Sequence, residues 1–412
     1  MCHCEPGSGR ARNDKRFYDM HIINQAGDLS GKKVLVRCDF NVTIDEDGKI
    51  LDDFKIRASL PTIKFLIENG AKIILMAHLG RPMANQKSKI KNQKFSLRPV
   101  SERLSSFLNT KVQLADDCIG PEARKTVEDL RGGEILLLEN VRFYAGEKTN
   151  DDSFAKNLAS LGEIYINDAF GDSHRNHASI VAITKFLPSF AGFLLQKEVE
   201  ILSRVRENPE RPLTVVIGGA KISTKIKLIR EYFGKANHVI LGGALANTVL
   251  HAQGLAIGKS FIEEEVLPEV KRLKITDTKL HMPLDVVVST DKSGENESKV
   301  APVGRIGDDE WILDIGPETE NVFDAVIKAS KTVLWNGPMG LFEIEKFSHG
   351  TKAVAEAIAS CPDCFSVAGG GETTCFIENL GLTDKFNHLS TGGGAMMEFL
   401  AGDKLPGIEA LK

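Results

Sequence analysis

The sequence of 412 residues has no marked charge of either sign: 52 lysines and arginines stand against 56 aspartates and glutamates, a formal net charge of -4. That excludes a global basic field for nucleic acid, so a polyanion site has to be assembled locally from a few basic side chains in one cleft. Cysteine is sparse and odd in number. The seven, Cys2, Cys4, Cys38, Cys118, Cys361, Cys364 and Cys375, exclude a dense disulfide framework and read as reduced thiols. Cys361 and Cys364 have C-x-x-C spacing but no second Cys/His pair near them, and a structural zinc site wants four ligands, so the spacing reads as accidental. The first 20 residues carry charges and no apolar segment, which excludes a secretory signal. Long apolar runs are missing too. The nearest, Val239 to Gly258, holds Asn247, His251 and Gln253 and is broken by four glycines, so a buried strand-turn-helix is expected rather than a membrane span. A soluble cytoplasmic chain is expected, with neither nucleic acid nor membrane as partner.

What is present is alternation. Short β-branched runs (Lys33 to Cys38, Lys72 to Ala77, Glu134 to Leu138, Ile164 to Asn167) alternate with helical stretches (Leu60 to Asn69, Val100 to Leu108, Ser153 to Leu161). Near-continuous apolar strands point to burial on both faces, hence parallel sheets covered by helices. The second half repeats the pattern with Leu213 to Ile217, His238 to Leu241, Val286 to Ser289, Thr332 to Trp335 and Phe365 to Ala368. The expected fold is α/β, with two doubly wound parallel-sheet (Rossmann-like) domains joined by a helical hinge. The expected boundaries are a poorly ordered extension at 1–19, a first domain at 20–188, a hinge at 189–211 around the charged helix Gln196 to Arg206, and a second domain at 212–403.

In open α/β sheets ligands collect beyond the carboxyl ends of the strands. In the first half those ends read Asp39-Phe40-Asn41, His78-Leu79-Gly80-Arg81, Glu139-Asn140-Val141-Arg142 and Asn167-Asp168-Ala169-Phe170, the last leading to His174, Arg175 and His177. Arginine's planar fork suits bidentate phosphate or carboxylate capture, so convergence of Arg81, Arg142 and Arg175 would make a pocket for a small anion. Three separate surface ion pairs remain the alternative. Asp39 and Asn41 are two apart and can point the same way, to fix a hydroxyl or simply to form a turn.

The second half ends its strands in glycine instead: Gly218-Gly219-Ala220-Lys221, Gly242-Gly243, Asn336-Gly337-Pro338, Gly369-Gly370-Gly371-Glu372-Thr373 and Ser390-Thr391-Gly392-Gly393-Gly394. Glycine admits close backbone approach and frees N–H groups for phosphates at helix N-termini. With Lys221 and Lys225 one helical turn apart, a nucleotide-phosphate site is expected. Gly254 to Ser260 is one residue short of a Walker A loop and follows a helix, and no strand leads into G-x-G-x-x-G, which disfavours a dinucleotide dehydrogenase. No nucleophile constellation stands out, which suits phosphoryl transfer, where positioning and charge neutralisation dominate.

At these motifs, in this order from about Lys32 to Leu411, the sequence resembles the phosphoglycerate kinase family. The resemblance implies a glycolytic and gluconeogenic enzyme that transfers the acyl phosphate of 1,3-bisphosphoglycerate to Mg-ADP, giving 3-phosphoglycerate and ATP, as a hinge-bending monomer. It implies a phosphoglycerate site of Asp39, Phe40, Asn41, Lys55, His78, Leu79, Gly80, Arg81, Arg142 and Arg175. The implied nucleotide site comprises Gly219, Ala220, Lys221, Lys225, Gly243, Leu313, Asn336, Pro338, Glu343, Gly370, Gly371, Glu372 and Thr373. Lys55, Lys225, Gly371 and Gly394 would serve the moving phosphoryl group, Glu372 would hold Mg²⁺, and the tail at 404–412 would pack back on the first domain. Two departures stand out. Lys55 occupies a position where the family usually has arginine, with Arg57 two residues on, and Glu372 one where it usually has aspartate. They leave open a ligand-binding relative with impaired catalysis.

Overall fold

A computed structural model describes residues 20–82, 93–273 and 277–412. The expected extension at 1–19 lies outside the described residues, as do Cys2 and Cys4. The first sheet comprises β1 (Lys33–Cys38), β2 (Lys72–Met76), β3 (Val112–Leu114), β4 (Ile135–Leu137), β5 (Ile164–Asp168) and β6 (Ser189–Ala191). These strands run parallel in the order β3-β4-β2-β1-β5-β6. In β1, Val34, Leu35 and Val36 are all fully buried because alternate side chains meet helices on opposite faces. Leu35 packs in one cluster with Leu136 and Tyr165, and Val34 and Val36 pack in another with Ile63 and Leu66. Each such burial contributes roughly 1.5–3 kcal/mol, so a charge at Leu35 would open the sheet.

The helix expected from Leu60 begins earlier and spans Phe54–Glu68. Asp52 accepts a hydrogen bond from the Phe54 N–H (2.8 Å), which starts the helix. Pro61 lies inside it, where it costs one backbone bond.

The second sheet is also parallel. It contains β7 (Leu213–Ile217), β8 (His238–Leu241), β9 (Leu280–His281), β13 (Thr332–Asn336), β14 (Phe365–Gly369) and β15 (His388–Ser390), ordered β15-β14-β13-β7-β8-β9. Strand order reverses between β7 and β13, and their carboxyl ends open into one crevice. The strand expected at Val286 to Ser289 is present as β10 (Asp285–Ser289) but outside this sheet. It lies between β11 (Ser298–Pro302) and β12 (Trp311–Ile315) in a small antiparallel sheet. Its apolar run was compatible with either pairing, and the partners decide it. The run Val239 to Gly258 forms β8 and the helix Gly243–Ala252. Among the described residues no helix is long and apolar enough to cross a membrane.

Between the sheets runs the helix Phe193–Glu207. Asp168, at the end of β5, holds its first turn by accepting from the N–H groups of Leu194 (2.9 Å) and Leu195 (3.4 Å). On the far side Glu198 is fully buried and accepts from the Thr391 N–H (2.7 Å) and hydroxyl (2.8 Å), with His388 Nε2 2.8 Å away. Beyond the second sheet, residues 405–411 return to the first. The Gly407 N–H donates to the Ser173 carbonyl (2.8 Å), the His21 N–H donates to the Leu411 carbonyl (3.0 Å), and Leu405, Ile408 and Leu411 are buried in the shared core.

Candidate active site

The first half gathers its polar strand ends into one cradle. Asp39 accepts from Lys55 Nζ at 2.8 Å and from the Asn41 N–H at 3.2 Å, and Asn41 Oδ1 accepts from the Gly80 N–H at 2.8 Å. Arg142 donates to the Gly80 carbonyl at 2.7 Å. Its turn is set by Asn140, which accepts from the Arg142 N–H (3.0 Å) and donates to the Leu79 carbonyl (2.8 Å). Beneath the cradle lies a buried ionic knot. Asp172 is 3.0 Å from Arg37 Nη2, 3.1 Å from His78 Nδ1 and 3.6 Å from Arg175 Nε. Burial opposes charge on Asp172, but His78, Arg37 and Arg175 overcome it and hold the carboxyl well below its usual range. Burial lowers His78 despite Asp172, and Asp39 outweighs burial to raise Lys55.

Arg142 is pulled down to about 10 by burial and, against Asp172, by the adjacent Arg175 and Arg37. Its Nε and Nη2, with His78 Nε2 and His174 Nδ1, are buried without a hydrogen-bond partner. Buried donors in this state call for an acceptor, which an anion would supply. Asp39, His78 and Asp172 lie close enough to hold a metal ion, but Lys55 and Arg37 already pair with these carboxylates.

Not every expected residue turns its side chain to the cradle. Phe40 and Leu79 are buried in the core beneath it, and Arg81 is exposed at the rim. Arg37, fully buried, and Asp172 were not singled out in the sequence. An arginine inside an otherwise apolar strand was the available signal.

The second half builds its crevice from backbone. Gly219 and Gly337 adopt φ of +92° and +96°, which other residues resist. The Gly219 N–H donates to the Pro338 carbonyl at 2.7 Å, and a Cβ on Gly243 would stand 2.6 Å from the Gly219 nitrogen. Lys225 Nζ lies beneath this turn and donates to the Gly218 carbonyl at 2.6 Å. Burial lowers its pKa to about 8, with Glu372 pulling the other way. The expectation that Lys221 and Lys225 stand one helical turn apart fails. The helix Ile226–Lys235 starts only after Lys225, which is its N-cap, and Lys221 is exposed in the preceding turn. The intervening residues form a non-helical turn.

Gly219, Ala220, Gly243, Leu313, Pro338 and Glu343 line one cleft of about 200 Å³, with Glu372 at its edge. Its outer wall, absent from the sequence reading, is Phe261 and Trp311, with Lys292 Nζ 3.4 Å from the Trp311 ring centroid. Asn336 and Thr373 are turned inward. Asn336 donates to the Gly369 carbonyl (2.7 Å) and Thr373 Oγ1 accepts from the Gly337 N–H (2.8 Å). Gly370 (φ +109°) leads into the helix Gly371–Asn379, whose first two residues, Gly371 and Glu372, are exposed.

The two half-sites face each other. A Cβ on Gly392 would be 2.7 Å from Gly171 Cα, and one on the exposed Gly394 would be 3.8 Å from His174 Nε2. The N-terminus of the helix Gly393–Leu400 therefore stands over the cationic cradle. A cationic half-site and a glycine-lined half-site, opposed on two parallel sheets across a connecting helix, define a two-domain α/β phosphotransferase. The chain belongs to the phosphoglycerate kinase family, whose profile matches residues 23–403. It is 46% identical over 388 residues to the phosphoglycerate kinase of Moorella thermoacetica (93% of this chain, 97% of that protein). It is 48% identical over 391 residues to the cytosolic phosphoglycerate kinase of Triticum aestivum (93% and 96%). The solved phosphoglycerate kinase structures from Coxiella burnetii (TM-score 0.81, 39% identity) and Pyrococcus horikoshii OT3 (TM-score 0.84, 33% identity) each align with 95% of this chain and 98% of their own. Its reaction is the reversible glycolytic phosphoryl transfer between 1,3-bisphosphoglycerate and ADP.

Proposed function

We propose how this chain divides that reaction. Arg142, Arg175, Arg81 and His78 bind the phosphate and carboxyl groups of phosphoglycerate, with Asp39 and Asn41 on its hydroxyl. Phe40, Leu79 and Gly80 shape the floor. The observation that carries the assignment is the set of unpartnered buried nitrogens on Arg142, His78 and His174. Gly219, Ala220, Gly243, Leu313, Pro338 and Glu343 hold the nucleotide, and Lys221, Asn336, Gly370 and Thr373 border its phosphates. In transfer, the bond from the acyl oxygen to phosphorus breaks as the terminal ADP oxygen bonds to the same phosphorus. The carboxylate leaves without needing a proton, so no general acid is required, and the attacking ADP oxygen is already ionised, so no general base is required either. Lys225, Lys55 and the amides of Gly371 and Gly394 screen the equatorial oxygens.

The donor set suits Mg²⁺. Two exposed carboxylates, Glu343 and Glu372, line the nucleotide cleft, of which Glu372 is assigned to the ion, and Mg²⁺ takes one or two carboxylates together with substrate phosphates. When bound, the ion neutralises phosphate charge. Closure about the segment 189–211 brings the half-sites together and excludes water from the acyl phosphate. A cytoplasmic monomer of two domains, 20–188 and 212–403, with 404–412 docked on the first, completes the reading.

A coupled assay with 3-phosphoglycerate, ATP and Mg²⁺, each omitted in turn, tests it. Turnover is expected only with all three. Glu372→Ala is expected to weaken the Mg²⁺ dependence, and an unchanged Mg²⁺ titration would remove Glu372 from the assignment.

A further inference from the structure

The halves of the molecule touch at the mouth of the cleft as well as through the connecting helix. In the first half, Asp53 precedes the helix Phe54–Glu68 and accepts from Arg57 Nε at 2.6 Å and from Arg103 Nε at 2.8 Å. Arg103 lies over the Phe107 ring, 4.6 Å from its centroid. Fixed in this way, Arg57 extends its other arm across the cleft, and its Nη2 donates to Glu378 Oε1 at 2.5 Å. Glu378 is on the helix Gly371–Asn379 of the second half. Beside the ion pair, Phe54 packs against the second-half core cluster that contains Ile377, Trp335 and Phe386. Asp52 also faces this helix: after burial, it is the charge that most raises the Cys375 thiol.

The two helices joined here carry the chemistry at their other residues. Lys55 lies between Phe54 and Arg57 and bonds Asp39 in the cradle, while Gly371 and Glu372 open the helix that carries Glu378 in its last turn. A contact between Arg57 and Glu378 therefore fixes the distance between Lys55 and the Gly371 turn, although neither partner belongs to either half-site. We propose that Arg57 and Glu378 are a cross-cleft positioning pair, which sets the spacing of the two half-sites when the halves approach. Asp53 and Arg103 hold Arg57 ready for the partner helix. The inference rests on the closure reading above.

A partly exposed pair is worth at most about 1 kcal/mol, or about two- to fivefold in a population. Glu378→Gln and Arg57→Gln are each expected to lower kcat by about two- to fivefold, and the double variant by no more than the worse single one. The dissociation constants of 3-phosphoglycerate and of ATP with Mg²⁺, each measured alone, stay at the wild-type value. High salt, which screens the pair, narrows the gap between wild type and variant. In small-angle scattering with both ligands, Glu378→Gln remains more extended than wild type. Additive losses, an unchanged kcat with unchanged scattering, or a weakened single-ligand affinity that accounts for the whole loss would each overturn the proposal. A wild-type chain that compacts with ligands but fails to turn over would count against the kinase chemistry, and the scattering comparison would still test the pair.

Discussion

Lys225 is placed where a lysine is costly to the fold, and replacing it separates stability from activity. Its ammonium is buried beneath the Gly218 to Gly219 turn with the Gly218 carbonyl as its close acceptor. A pKa reduced from the ordinary 10.5 to about 8 corresponds to roughly 3 kcal/mol of disfavour for the charged form. The sign follows from proton binding. Between about pH 8 and 10.5 the unfolded chain holds a proton that the folded chain has lost, so stability rises with pH across that window, and below pH 8 the full penalty is present. Lys225→Met keeps the length of the stem and removes the charge, but leaves the Gly218 carbonyl short of a donor, which returns about 1 kcal/mol. A net gain of about 1–2 kcal/mol at neutral pH is expected, a rise of roughly 2–8 °C in the unfolding midpoint for a domain of this size. On the role proposed for Lys225, the same change removes a cation from the transferring phosphoryl group and should lower kcat by about 10²–10³. Differential scanning fluorimetry beside the coupled assay reads both quantities. A lower midpoint, or a kcat within about tenfold of wild type, would refute the reasoning.

Three further expectations follow from particular contacts. Lys55 spends its ammonium on Asp39, so Lys55→Arg, which keeps that bond and adds a second arm, should raise kcat; an unchanged or lower kcat would defeat this. Asp168 is raised to about 7 by burial despite its bonds to Leu194 and Leu195. Its contribution to stability therefore falls as pH rises from about 4 to 7, and Asp168→Asn should raise the thermal midpoint near pH 8 by more than at pH 5 and change it little near pH 4. Asp172→Asn leaves Arg37 without its buried carboxylate and should cost about 3–5 kcal/mol in urea unfolding at neutral pH. Because the Asp172 carboxyl is held low, the wild-type contribution is present above about pH 4 and lost only as pH falls below it; a variant as stable as wild type at neutral pH would argue against the knot.

Most strands of the two large sheets were legible because their apolar runs mark burial on two faces, and the turns that gather at the two candidate half-sites because each is chemically distinct. What escaped was set by partners rather than by local pattern. β3, β6 and β15 are three residues each, too short for a period to show. The strand at Val286 to Ser289 was visible but its antiparallel partners were not, since β11 reads Ser-Lys-Val-Ala-Pro and carries little strand signal. The helical spacing assumed for Lys221 and Lys225 gave way to a turn that lets one lysine be buried and the other exposed. Arg37 and Asp172 lie 135 residues apart, and only the fold reveals that each answers the other's charge.

The return of residues 405–411 to the first sheet has a consequence for biosynthesis. The surface around Ser173, Asn167 and His21 that these residues cover belongs to the half of the protein translated first. While the ribosome is still making the second half, that surface has no cover, and Leu405, Ile408 and Leu411 do not yet exist to fill it. A nascent first half is therefore an incomplete domain for most of its time on the ribosome, exposed to chaperones and to premature association. The half that emerges first is the last to be sealed.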